Sequence, residues 1–179
     1  MDNFLHIFFI WVHILGVALF VGPQFFMAFA WVPASRRIAD PQARIAAMKL
    51  ITRRFGYIGG AGIVLLVAAG TYLIADWRNY YGVPDDVGFT DVRFGVVFII
   101  KMTLLTVMLA VLAFHMFYLG PRQLEAMEAQ ANGERISAAE VRKARMMSMT
   151  ASVLGLLMAL ALMVMGVMLN SVSWSLQAS

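Results

Sequence analysis

Between Phe94 and Pro121 the chain reads FGVVFIIKMTLLTVMLAVLAFHMFYLGP, an apolar run broken by two ionisable residues, Lys101 and His115. The run is long enough to cross a bilayer as a helix, since about 20 residues rising about 1.5 Å each suffice. An ionisable group turned towards lipid costs at least about 2.5 kcal/mol. Both residues must therefore face protein, a bound group or water. Lys101, Met108, His115 and Arg122 follow one another at intervals of seven, and seven steps of about 100° fall about 20° short of two turns. The spacing predicts one stripe on one helix face.

Hydrophobic residues make up 61% of the 179-residue chain and charged residues 13%, about half the charged share of soluble proteins. The mean hydropathy is +0.78. These values imply an integral membrane protein, with the lipid bilayer as its first partner. The absence of cysteine excludes disulfides, thiolate metal sites, iron-sulfur clusters and covalently attached haem. Any metal would need His, Met, carboxylate or backbone ligands. The formal charge of +4 comes from connections, which makes it a topology signal and not a nucleic-acid surface.

Four spans are expected, at about residues 4–33, 55–77, 94–121 and 146–169. Ala28-Phe29-Ala30 resembles a signal cleavage site, but Met1-Asp2-Asn3 lacks a basic n-region, so the first span reads as a retained helix, kinked at Gly22-Pro23. Residues 34–54 carry Arg36, Arg37, Arg44, Lys49, Arg53 and Arg54 against Asp40, which marks a cytoplasmic connection. Within it, Ile45, Met48, Ile51 and Phe55 are spaced for an amphipathic helix on the membrane surface. Gly56 and Gly60 form a small-residue face suited to helix packing, with a ligand loop as the alternative. Asp76, Asp85, Asp86 and Asp91 with Trp77, Tyr80 and Tyr81 mark an outer loop and aromatic belt. The connection from Arg122 to Arg145 reads as two helix extensions broken at Asn132-Gly133. The fold expected is all-α: a single up-and-down bundle of four transmembrane helices with both termini outside.

Candidate site residues follow from depth. His13 and Lys101 lie about 14 Å and about 10 Å below the outer starts of their helices, so the two are level. His115 is about 21 Å further along than Lys101, so His13 and His115 cannot clasp one haem iron. The cofactor-facing candidates are His13, Lys101 and His115; the metal-ligating ones are His6, His13, His115, Met108 and Met165. Each has a plainer reading. His13 and Lys101 can be a polar pair tying two helices; His6, at the outer boundary, needs no partner; His115 can be satisfied by a backbone carbonyl or Tyr118. The face carrying Met147, Met158 and Met165 can be ordinary packing. Thioethers with imidazoles are also what Cu(I) prefers. Copper and haem b are the two cofactor readings. With Asp76 counted in the outer loop and no other Asp or Glu inside any span, Lys101 needs an imported anion or a lowered pKa.

The segments RRFGYIGGAGIVLLVAAGTYL (53–73) and FGVVFIIKMTLLTVMLAVLAFHMFYLGPR (94–122) resemble the core of the CopD copper-resistance family. Arg54, Phe55, Gly70, Thr71, Lys101, Pro121 and Arg122 carry the likeness, and the first helix, with His13 and Gly16, is similar. The resemblance implies copper handling in a bacterial inner membrane, with a periplasmic copper carrier as partner; the absence of any dense motif leaves a non-catalytic subunit of a larger membrane complex as a further reading. A weaker resemblance runs to HemJ-type protoporphyrinogen oxidases, through a His on the first helix and a Lys followed by a His on the third. The chain departs from that family at GPQFFMAFAWVP in the first helix and lacks its acidic residues near the second and fourth.

Overall fold

The computed structural model describes residues 2–179, with side chains from Phe4 onward. Apart from one isolated bridge, Val92 to Ala178, regular structure among the described residues is helical. Four helical stretches, Phe4–Ser35, Pro41–Ala75, Arg93–Ala131 and Ala138–Asn170, are long and apolar enough to cross a membrane. Each expected span lies within or nearly within one of them, and the extra length is polar helix.

The first stretch consists of α1 (Asp2–Phe25), a π-helical segment (Phe26–Trp31) and α2 (Val32–Ser35). The helix passes through Pro23 and widens just after it, where hydrogen bonds running to i+5 insert an extra residue per turn. The second stretch is α3 (Pro41–Ala75), a continuous helix of 35 residues. Pro41 sits at its first position and Asp40 Oδ1 accepts from Gln42 N at 2.9 Å. A separate surface helix over 42–54 is thus not what forms: those residues are the first turns of α3. At about 52 Å, α3 exceeds the apolar thickness of a bilayer by several turns. Ile45 anchors these turns against protein. Ile45 is buried, Lys49 pairs with Glu128, and Gln42 Nε2 donates to Asn132 Oδ1 at 2.8 Å.

After α4 (Trp77–Tyr81), the guanidinium of Arg78 donates to Pro84 O at 2.8 Å and Val87 O at 2.7 Å, which fixes the loop. Then come α5 (Arg93–Phe114), a second π-helical segment (His115–Leu119) and α6 (Gly120–Ala131). Gly133 takes φ +75°, the left-handed conformation that glycine allows, and turns the chain where Asn132-Gly133 predicts. Ser137 opens α7 (Ala138–Asn170) with a reciprocal capping box to Glu140. Past α8 (Val172–Ser175), the last residues pair with the start of α5, Gln177 O accepting from Arg93 N at 3.0 Å and Asp91 O from Ser179 N at 3.0 Å.

The chain divides into two compact units. The first runs up to Ile38 and takes in Leu50–Gly88; the second holds Ala39–Lys49 and Phe89–Ser179. Each contains one antiparallel pair of long helices, with His6 and His13 at the seam of the first and Lys101 and His115 at the seam of the second.

Candidate functional site

In the first unit, His6, Phe9, His13, Gly16 and Phe20 alternate at steps of three and four, the heptad spacing of a packing seam. They meet α3 in turn. Phe9 stacks on Tyr72 at 4.0 Å, and His13 lies over Gly70, where a Cβ would come 3.5 Å from Cε1. At Gly16 and Gly62 the two backbones touch: a Cβ on either would sit 2.9 Å from the other's carbonyl oxygen. Close packing on α3 thus falls to Gly62 and Gly70 and not to the predicted Gly56–Gly60 face, where nothing lies within 4 Å of a Gly60 Cβ position.

His6 is 3% exposed, and its Nδ1 lies 2.9 Å from Asp76 Oδ2. An ionised carboxylate only accepts, so Nδ1 carries a proton and Nε2 is the nitrogen left for other chemistry. Tyr80 stacks on the imidazole at 3.5 Å and 3°. His6 therefore has a built environment, contrary to the expectation that it needs no partner. Nearby, burial raises the Tyr81 phenol above its usual range and Tyr80 adds to the shift, so Tyr81 stays neutral at physiological pH. Asp76→Ala is expected to cost about 1–3 kcal/mol by orphaning a buried donor. Asp76→Asn, whose amide oxygen still accepts, should recover most of it. Thermal unfolding of the two variants in detergent checks this, and equal losses would rule the bond out as the cause.

In the second unit, α5 and α7 keep one antiparallel register. Lys101 Nζ lies 3.7 Å from where a Gly166 Cβ would be, Leu112 packs at 3.0 Å over the corresponding point of Gly155, and His115 Nε2 lies 3.3 Å from Ser152 Oγ. The same count sets Met108, 2% exposed, opposite Ala159, 3% exposed. Large side chains of α5 thus fill gaps left by small residues of α7. Lys101 has no carboxylate partner among the described residues. Ser152 Oγ donates to Ser148 O at 3.0 Å, which commits its proton and makes His115 Nε2 the donor. His115 Nδ1, buried and without a hydrogen-bond partner among the described residues, then holds a lone pair. Ser152 takes the place expected for a carbonyl or Tyr118.

The predicted stripe holds for Lys101, Met108 and His115 and fails at Arg122. The π-helical segment adds about one residue, or about 100° of rotation, before Arg122, whose guanidinium instead lies 4.4 Å over the exposed ring of Tyr118. Met165 adjoins Gly166 and is therefore level with Lys101; Met108 stands about 9 Å along the seam from it. The structure does not bring Met108, Met165 and His115 to one level. Among the described residues no three of His, Asp and Glu form a metal-binding group. Compared with known protein families, curated proteins and solved structures, the chain matches none.

Proposed function

We propose that the chain handles copper in a bacterial inner membrane, as the CopD-like segments imply, with both termini periplasmic and the basic connections cytoplasmic. One observation carries this reading: imidazole and thioether donors stand in file along the helix seams, with His6 and Met108 almost wholly buried. Donors seven residues apart on one helix are about 10.5 Å apart, too far to share an ion whose bonds are about 2 Å long. Single donors at intervals suit passing Cu(I) along, whereas a closed set of three or four would retain it. Copper is then cargo, handed over by a periplasmic carrier, and the lone pair of His115 Nδ1 is one donor on its way.

The test is Cu(I) uptake into vesicles carrying the purified protein, with bound copper measured by elemental analysis. Uptake above empty vesicles, reduced about tenfold in His115→Ala, is expected. No bound copper and no uptake would sink the proposal and leave a subunit of a larger complex.

Lys101 favours a second reading, a b-type haem, because an unpaired cation suits a propionate. The second unit alone does not fit it. His115 is about 21 Å along α5 from Lys101, and its Nε2 is engaged by Ser152. A Soret band in the purified protein would replace the copper reading with this one.

A further inference from the structure

At one end of the α5–α7 pair lies a groove of about 620 Å³ whose mouth carries Arg142 and Lys143 and whose floor includes Val111, Phe114, Met147 and Leu154. No acidic side chain lines it. The residues after Arg145 up to Leu169 carry no charge, so the two cations sit where the apolar part of α7 begins and the groove runs about 16 Å from them into the apolar region. Two adjacent cations above an apolar floor at the boundary of a span match an amphiphile with an anionic head and a hydrocarbon tail. His115 does not line the groove, which separates it from the donors on the seam.

We propose that this groove is a binding site for one anionic phospholipid of the surrounding leaflet. Its phosphate lies against Arg142 and Lys143, and one acyl chain covers Phe114, Met147 and Leu154. Met147, which shares a helix face with Met158 and Met165, then serves as lipid contact and not as metal donor. The second π-helical segment shapes the mouth, because its widened turn carries Leu119 into the lining.

The full-length protein is purified from vesicles of phosphatidylglycerol and phosphatidylcholine, and the lipid retained after detergent exchange is measured by native mass spectrometry. One phosphatidylglycerol per chain is expected, with phosphatidylcholine washed out. Replacing both cations, Arg142→Gln with Lys143→Gln, should weaken retention roughly thirtyfold. Filling the floor with Leu154→Trp should lower retention although both charges remain. The surface pair Arg36→Gln with Arg37→Gln, outside the groove, should change nothing. Equal retention of phosphatidylcholine, full retention in either groove variant, or an equal loss from the Arg36 and Arg37 pair would overturn the proposal. So would a change of oligomeric state in the groove variants with lipid retention intact, which would make the groove a protein interface.

Discussion

Gly95→Ala should cost more stability than the same change at Gly16, Gly62 or Gly155. A Cβ at Gly95 would fall on the carbonyl group of Phe89, and Cδ1 of the Phe89 ring lies only 3.0 Å from the same point. Backbone cannot rotate aside as a long side chain can, so the loop before α5 has to move or the first turn of the helix has to open. Overpacking of this kind costs about 3 kcal/mol or more, a large part of a typical total stability of about 5–15 kcal/mol. Gly62→Ala should follow closely, since its Cβ would press on Gly16 O at 2.9 Å and on Phe20 N at 3.0 Å. Gly60→Ala supplies the control: nothing lies within 4 Å of its Cβ position, and in mid-helix the change should stabilise by about 0.5–1 kcal/mol. Unfolding temperatures in one detergent rank the three. If Gly95→Ala and Gly60→Ala unfold together, the close approach to Phe89 has no energetic weight.

Lys101→Met should give a protein that is more stable and less capable. The substitution keeps the length of the side chain and removes an amino group with no carboxylate partner among the described residues. At the centre of a spanning helix a lysine costs about 2.5–3.5 kcal/mol; Lys101, about 10 Å inside its helix, approaches that cost, and part of it should return as stability. On the proposed copper path Lys101 acts as a neutral amine donor, because an ammonium repels Cu(I), so uptake should drop about tenfold or more in the same protein. A less stable variant would identify Lys101 as a structural tie, and a stable one with full uptake would place it outside the functional path. Unfolding and uptake measured on one preparation separate the three outcomes.

The spans are legible in the sequence because apolar length is a local property: residues 94–121 stand out whatever they pack against. Their polar extensions are less so. Arg53 and Arg54 look like the end of a surface segment, yet no proline or cap interrupts the helix between Pro41 and Ala75, and buried Ile45 with the Lys49–Glu128 pair holds the early turns helical. Partners across a seam are harder still. His6 opens one span and Asp76 follows the end of the next, so an antiparallel pair must bring them to the same end; counting Asp76 as loop charge hides this. Ser152 is silent for a different reason. Finding it opposite His115 requires the register, which Gly155 and Gly166 set through the room they leave for Leu112 and Lys101. The π-helical segments leave no local mark that separates them from ordinary helix, and Arg122 leaves the stripe because of one.

The α5–α7 register also has a mechanical meaning. Lys101, Met108, Leu112 and His115 of α5 sit over Gly166, Ala159, Gly155 and Ser152 of α7, a pattern that repeats only after seven residues. Sliding α7 by one or two residues would drive Leu112 or Met108 into the bulk beside Gly155 or Ala159, and the next matching position is about 10.5 Å away. A piston stroke of a few ångströms along this pair is therefore blocked. Any message carried across the membrane here has to travel as tilt or rotation of α5 and α7 moving together.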